Sequence, residues 1–154
     1  MIAGIRQFLQ DLAGGRPPEK FGEDDHRLAA AALLYHVTAI DGVVSDEERV
    51  KLRELLARRY ALDDGDAREL VKAAEAADSE AVDLYGFTSV LKRHLSEKDR
   101  TRIVEMMWEL VFADGTVHEF EDNLLWRVAE LLGVSSQTRI RLKQVARNAV
   151  TGRE

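Results

Sequence analysis

The sequence predicts an all-α fold: a single-domain helical bundle of about seven to eight helices with an internal two-fold duplication. Three observations predict it. Apolar residues recur at helical spacing between capping signals along nearly the whole chain. No segment alternates apolar and polar residues between Gly or Asn hairpin turns, so no sheet is expected. The skeleton Asp-Gly-x-Val-x-x-x-Glu occurs twice, from Asp41 to Glu48 and from Asp114 to Glu121, at an offset of 73 residues. The same offset pairs Tyr35 with Trp108, Val37 with Leu110, Leu52 with Leu125 and Leu55 with Val128, so the repeat extends into the flanking helices. That period is too long for a solenoid unit and suits duplication of a several-helix half.

A length of 154 residues with 45% hydrophobic residues fits one globular domain able to bury a core. The absence of cysteine excludes disulfides, thiolate metal sites and cysteine nucleophiles, and is compatible with a reducing compartment. A cytoplasmic location is therefore the expectation. No apolar run approaches the roughly 18 residues that span a bilayer, and the start from Met1 to Arg6 lacks a signal-peptide pattern, so no stable membrane insertion is expected. A net charge of −6 argues against nucleic acid as a partner, because phosphate neutralisation needs clustered cations. A cation, or a protein partner with a basic surface, suits such a chain better.

The elements follow from local chemistry. Residues 1–22 read as an amino-terminal amphipathic helix, with Ile5, Phe8, Leu9 and Leu12 at helical spacing, followed by a Gly14–Gly22 connector that holds Pro17-Pro18. The helical domain then occupies 23–154. An alanine-rich helix from Asp24 to Ile40 should be central, since alanine lets neighbours approach closely, and Asp41-Gly42 ends it. Ser45 and Glu48 form a capping box for a helix to about Arg59, and Asp63 can cap the next, whose pattern loosens at Asp78-Ser79. A helix through Leu84, Val90 and His94 follows, and Ser96 opens one that runs through Met107 and Val111 into the second Asp-Gly turn. Glu119 to Leu132 is the next helix, stopped by Gly133, and Ser135 can cap a last one bearing Ile140, Leu142 and Val145. Trp108, Trp126 and Tyr35 fall at apolar-face positions and read as core. The cations Arg139, Arg141, Lys143 and Arg147 read as a solvated helix face.

An apolar helix ending in Asp-Gly, a Val, a Glu opening the next helix, and the whole repeated, resembles the TerB (tellurite-resistance) family over about Asp24 to Gly133. The resemblance implies an all-helical module of about seven helices with an acidic metal-binding site, in a stress or tellurite-resistance-type role. It implies no known reaction. Some relatives attach a J-domain, whose His-Pro-Asp motif is absent here.

Asp41, Glu48, Asp114 and Glu121 are the candidate metal ligands. A carboxylate-only set favours a hard divalent cation, namely calcium, magnesium or manganese. Helical side chains lean toward the amino end, so a first-turn Glu leans over the preceding Asp-Gly turn. Capping competes with this reading at Glu48, which Ser45 already explains, and the partly positive helix start repels a cation. At the second copy His118 replaces Ser45 and is a poor cap, so capping accounts less well for Glu121. The alternative is a metal-free acidic protein-interaction module. The spacing is not that of an EF-hand, no phosphate-cradling loop or nucleophile elbow is present, and His26, His36 and His94 lack zinc-ligand spacing. No enzymatic activity and no catalytic residues are expected.

Overall fold

The computed structural model describes residues 21–22, 24–40, 42, 44–81, 83–114 and 119–151. The expected amino-terminal helix and Pro17-Pro18 lie outside these residues. Seven α-helices are present among those described: α1 (His26–Ala39), α2 (Asp46–Tyr60), α3 (Asp64–Glu80), α4 (Tyr85–His94), α5 (Glu97–Val111), α6 (Glu119–Leu131) and α7 (Ser136–Thr151). A 3-10 turn, Phe112–Asp114, follows α5.

Most of the helices start where a short polar side chain takes up a free amide. Asp25 accepts from the Arg27 amide, Asp63 from that of Asp66, Ser96 from that of Asp99 and Ser135 from that of Thr138. The stops are as local. Gly133, at φ +76°, closes α6 with the Val134 amide donating back to Ala129 and its own amide to Glu130, a Schellman arrangement. At the end of α2 the left-handed position is taken by Ala61, at φ 52°. An L-residue there carries roughly 1–2 kcal/mol of steric cost. Ala61→Gly is therefore expected to raise stability by about 0.5–1 kcal/mol, after the larger unfolded-state entropy of glycine is offset. A thermal melt that shows no gain would refute the strain.

The order of packing realises the duplication. α1, α2 and α3 pack on one another as one unit, and α5, α6 and α7 as a second. Asp46 and Glu119, the residues that open α2 and α6, stand 73 apart, the offset of the motifs. α1 meets α5 at the centre, and the contact of α2 with α5 is mirrored by that of α6 with α1, as a pseudo-twofold axis requires. Paired residues share their burial: Tyr35 and Trp108, Val37 and Leu110, Leu52 and Leu125, Leu55 and Val128 are all buried.

α4 has no counterpart among the described residues. It lies over α1, and the register shows the result. The face of α1 that carries Ala29 and Ala32 is buried, whereas the equivalent positions on α5 hold Arg102 and Glu105, which pair with each other at the surface. With every residue from Leu28 to Tyr35 buried, α1 is the central helix, apolar on nearly all sides.

Each unit is also tied by an aromatic ring, a cation and an anion. In the first, the Tyr35 hydroxyl and Arg49 both donate to Glu75, at 2.8 and 2.9 Å, and the guanidinium lies 5.9 Å from the ring centroid. Those two hydrogen bonds hold the Glu75 carboxyl below its ordinary range. In the second, Lys143 lies 5.3 Å from the Trp108 centroid and donates to Asp122 at 2.8 Å. The cation sits on α2 in one unit and on α7, the partner of α3, in the other.

One expected core residue and two apolar residues of the last helix are at the surface. Trp126, Ile140 and Val145 are exposed. Leu124, Leu125 and Val128 already turn the opposite side of α6 inward. Among the described residues α7 packs chiefly on α5, α6 and the 3-10 turn, and Leu142 and Ala146 fill its narrow inner stripe.

Candidate functional site

The first motif begins where α1 stops. The Gly42 amide donates to the Ala39 carbonyl at 2.9 Å, and its φ of +92° turns the chain out of the helix. Three residues on, the capping box forms as expected: the Glu48 amide donates to Ser45 Oγ and the Ser45 amide donates to Glu48 Oε1, both at 3.1 Å. One Glu48 oxygen is thereby engaged at the cap. Asp46, Glu47 and Glu48 all lie in the first turn of α2, where the helix dipole favours negative charge.

This helix start borders a shallow depression of about 560 Å³. Its walls include Ser45, Glu47, Glu48, Lys51 and Glu54, and across from them Ala113. Ala113 belongs to the 3-10 turn that leads into the second motif. The second Asp-Gly turn thus begins beside the helix that the first one opens, and both repeats reach one acidic surface. Helical spacing could have found the rest of that face, since Glu47, Lys51 and Glu54 recur at i, i+4 and i+7.

The four candidate ligands stand differently. Asp41 and the side chain of Asp114 lie outside the described residues, as do Gly115 to His118. Glu48 lines the depression. Glu121 is buried, with 8% of its surface exposed, although it holds the same place in its motif. Among the described residues no three His, Asp or Glu side chains come together as a ligand set. The donors that border the depression are carboxylate oxygens, which suit a hard ion and not zinc.

Two of the histidines that have no zinc spacing find carboxylate partners instead. His36 Nδ1 is 2.8 Å from Asp78 Oδ1, and His94 Nε2 is 3.2 Å from Asp24 Oδ2.

A family model described as tellurite resistance protein TerB matches residues 27–144. The chain belongs to the TerB family. No curated protein and no solved structure gives a significant match. The TerB match runs from the first turn of α1 into α7, so it takes in both Asp-Gly motifs and all three helix pairs of the duplication. Within this TerB chain no helix of the described residues is long and apolar enough to cross a membrane.

Proposed function

We propose that this TerB-family chain is a cation-binding helical module in a stress or tellurite-resistance-type role, taking a hard divalent ion where its two Asp-Gly turns meet. One observation carries the reading: Ala113, beside Asp114, shares a single acidic depression with Ser45 and Glu48. Asp41 and Asp114 are the expected principal ligands, with the oxygen of Glu48 that the cap leaves open. Glu121 joins them only if its buried carboxylate turns toward the same ion. The ion would neutralise carboxylates that otherwise repel one another. Catalysis is no part of the proposal.

A second reading has its own support. One Glu48 oxygen is engaged in the cap, Glu121 is buried, and the outward carboxylates Asp46, Glu47 and Glu54 spread across a shallow surface. Such a face suits a protein partner with a basic surface and no metal.

Calorimetry and thermal melts with calcium, magnesium and manganese separate the two. If the first reading holds, an ion present at about 100 times its dissociation constant should stabilise the fold by about 2.7 kcal/mol. The Asp41→Ala/Asp114→Ala variant should lose that gain. No heat and no melting shift at millimolar ion sinks the metal reading. The second is then tested by pull-down at low and high salt, since contacts between exposed charges weaken as salt screens them.

A further inference from the structure

A second cleft, of about 470 Å³, opens on the far side of α1, between the end of α3, the start of α4 and α6. That volume lies within the range of small-molecule sites. The cleft spans both units, with His36 and Asp78 from the first and Leu124, Arg127 and Leu131 from the second. On α2, the positions equivalent to its α6 wall are Lys51, Glu54 and Arg58. On α6 they are Leu124, Arg127 and Leu131, so two charges have become leucines and one anion a cation. The start of α4 closes the remaining side with Leu84 and Tyr85.

The lining joins an apolar floor to charges of both signs. Leu84, Leu124 and Leu131 form the floor, and Tyr85, 65% exposed, stands at the mouth. Arg127 is exposed and makes no ion pair or hydrogen bond among the described residues. Asp83 uses Oδ1 to accept from the Tyr85 amide at 3.0 Å, which starts α4 and leaves its other oxygen for a ligand. His36 is fixed in the wall by its 2.8 Å contact with Asp78 Oδ1. That contact occupies Nδ1 and leaves Nε2 to donate or accept.

We propose that this cleft binds a small zwitterion, a free α-amino acid with an apolar side chain. A guanidinium matches a carboxylate in a two-pronged hydrogen bond, so Arg127 takes the acid end. Asp83 takes the ammonium. The leucine floor and the Tyr85 ring take the side chain, and His36, held by Asp78, is a positioning residue beside the polar end. A plain anion on Arg127 would leave the Asp83 carboxylate unanswered, and a plain cation on Asp83 would leave Arg127 so. Only a ligand with both charges satisfies the lining.

The test is an amide-resolved NMR titration of the full chain with L-phenylalanine, N-acetyl-L-phenylalanine and L-phenylalaninamide. The zwitterion should give saturable shifts at Leu84, Tyr85, Leu124 and Arg127, with a dissociation constant of about 1 mM for a ligand of this size. Each derivative, lacking one charge, should bind at least about tenfold more weakly. Arg127→Gln should weaken phenylalanine by a similar factor and leave the amide derivative unchanged. Asp83→Asn, which keeps an oxygen to accept from the Tyr85 amide, should weaken phenylalanine and spare the N-acetyl derivative. Both changes are at exposed positions, and a dispersed spectrum verifies folding. The proposal is overturned if no probe saturates by 20-fold above that constant, if the shifts map elsewhere, or if Arg127→Gln binds phenylalanine as the parent does.

Discussion

Replacing Trp108 by alanine is expected to lower folding stability by about 3–5 kcal/mol, the largest effect of any single truncation here. Its indole is wholly buried in α5, the helix that meets α1 at the centre of the pseudo-twofold arrangement. It stacks near Phe112, at 6.0 Å between centroids, and carries Lys143 over its face. The loss is thus a cavity plus an unanchored cation. Both units close on this helix, so relaxation into the gap is limited. Urea unfolding followed by circular dichroism measures it, and a midpoint change equivalent to less than 1 kcal/mol would show that the core can collapse around the site. Tyr35, the equivalent ring, keeps its hydroxyl at the rim on Glu75, and its truncation should cost less.

The second large effect appears at alkaline pH. Tyr60 ends α2 with its hydroxyl oxygen buried and without a hydrogen-bond partner among the described residues. Burial pushes its phenol up to about 12, with Arg59 drawing it partly back. An acid whose neutral form is favoured by folding contributes stability that is complete below its unfolded value, near 10. That stability is lost as pH rises toward 12. By pH 11.5 the loss should reach about 2 kcal/mol. Tyr60→Phe has no phenol to ionise, and removing a hydroxyl with no partner in the protein should cost little at neutral pH. The difference in stability between the two proteins should therefore move in favour of the variant between pH 8 and 11.5. Parallel curves across that window would contradict the assignment.

The fold was legible because most of its signals are local. Ser45, Asp63, Ser96 and Ser135 each name a helix start through a bond to the amide three residues on, and Gly42 and Gly133 each mark a stop. The repeat told which helices are equivalent. What was illegible depends on neighbours that are remote in sequence. Trp126 lies outward because α6 had already spent its inner face on Leu124, Leu125 and Val128. Glu48 and Glu121 share a motif position, yet one borders an open depression and the other is covered. His36 and Asp78 are 42 residues apart, and no spacing rule joins them. The acidic depression was half visible: its carboxylates could be read along α2, but the arrival of Ala113 beside them could not.

The two ring-centred ties have a consequence for how the chain finds its own partners. Helices of duplicated halves take equivalent places, and the chain is exposed to exchange between them while it folds. Here the copies are mutually repellent. If α7 were to settle on α2 in place of α3, Lys143 would confront Arg49. If α3 settled on α6, Glu75 would confront Asp122. Only the correct pairing sets opposite signs together, and like charges brought face to face oppose the wrong one. The reversed polarity between the halves is a label of provenance: it lets a protein made of two similar pieces tell its own first piece from its second.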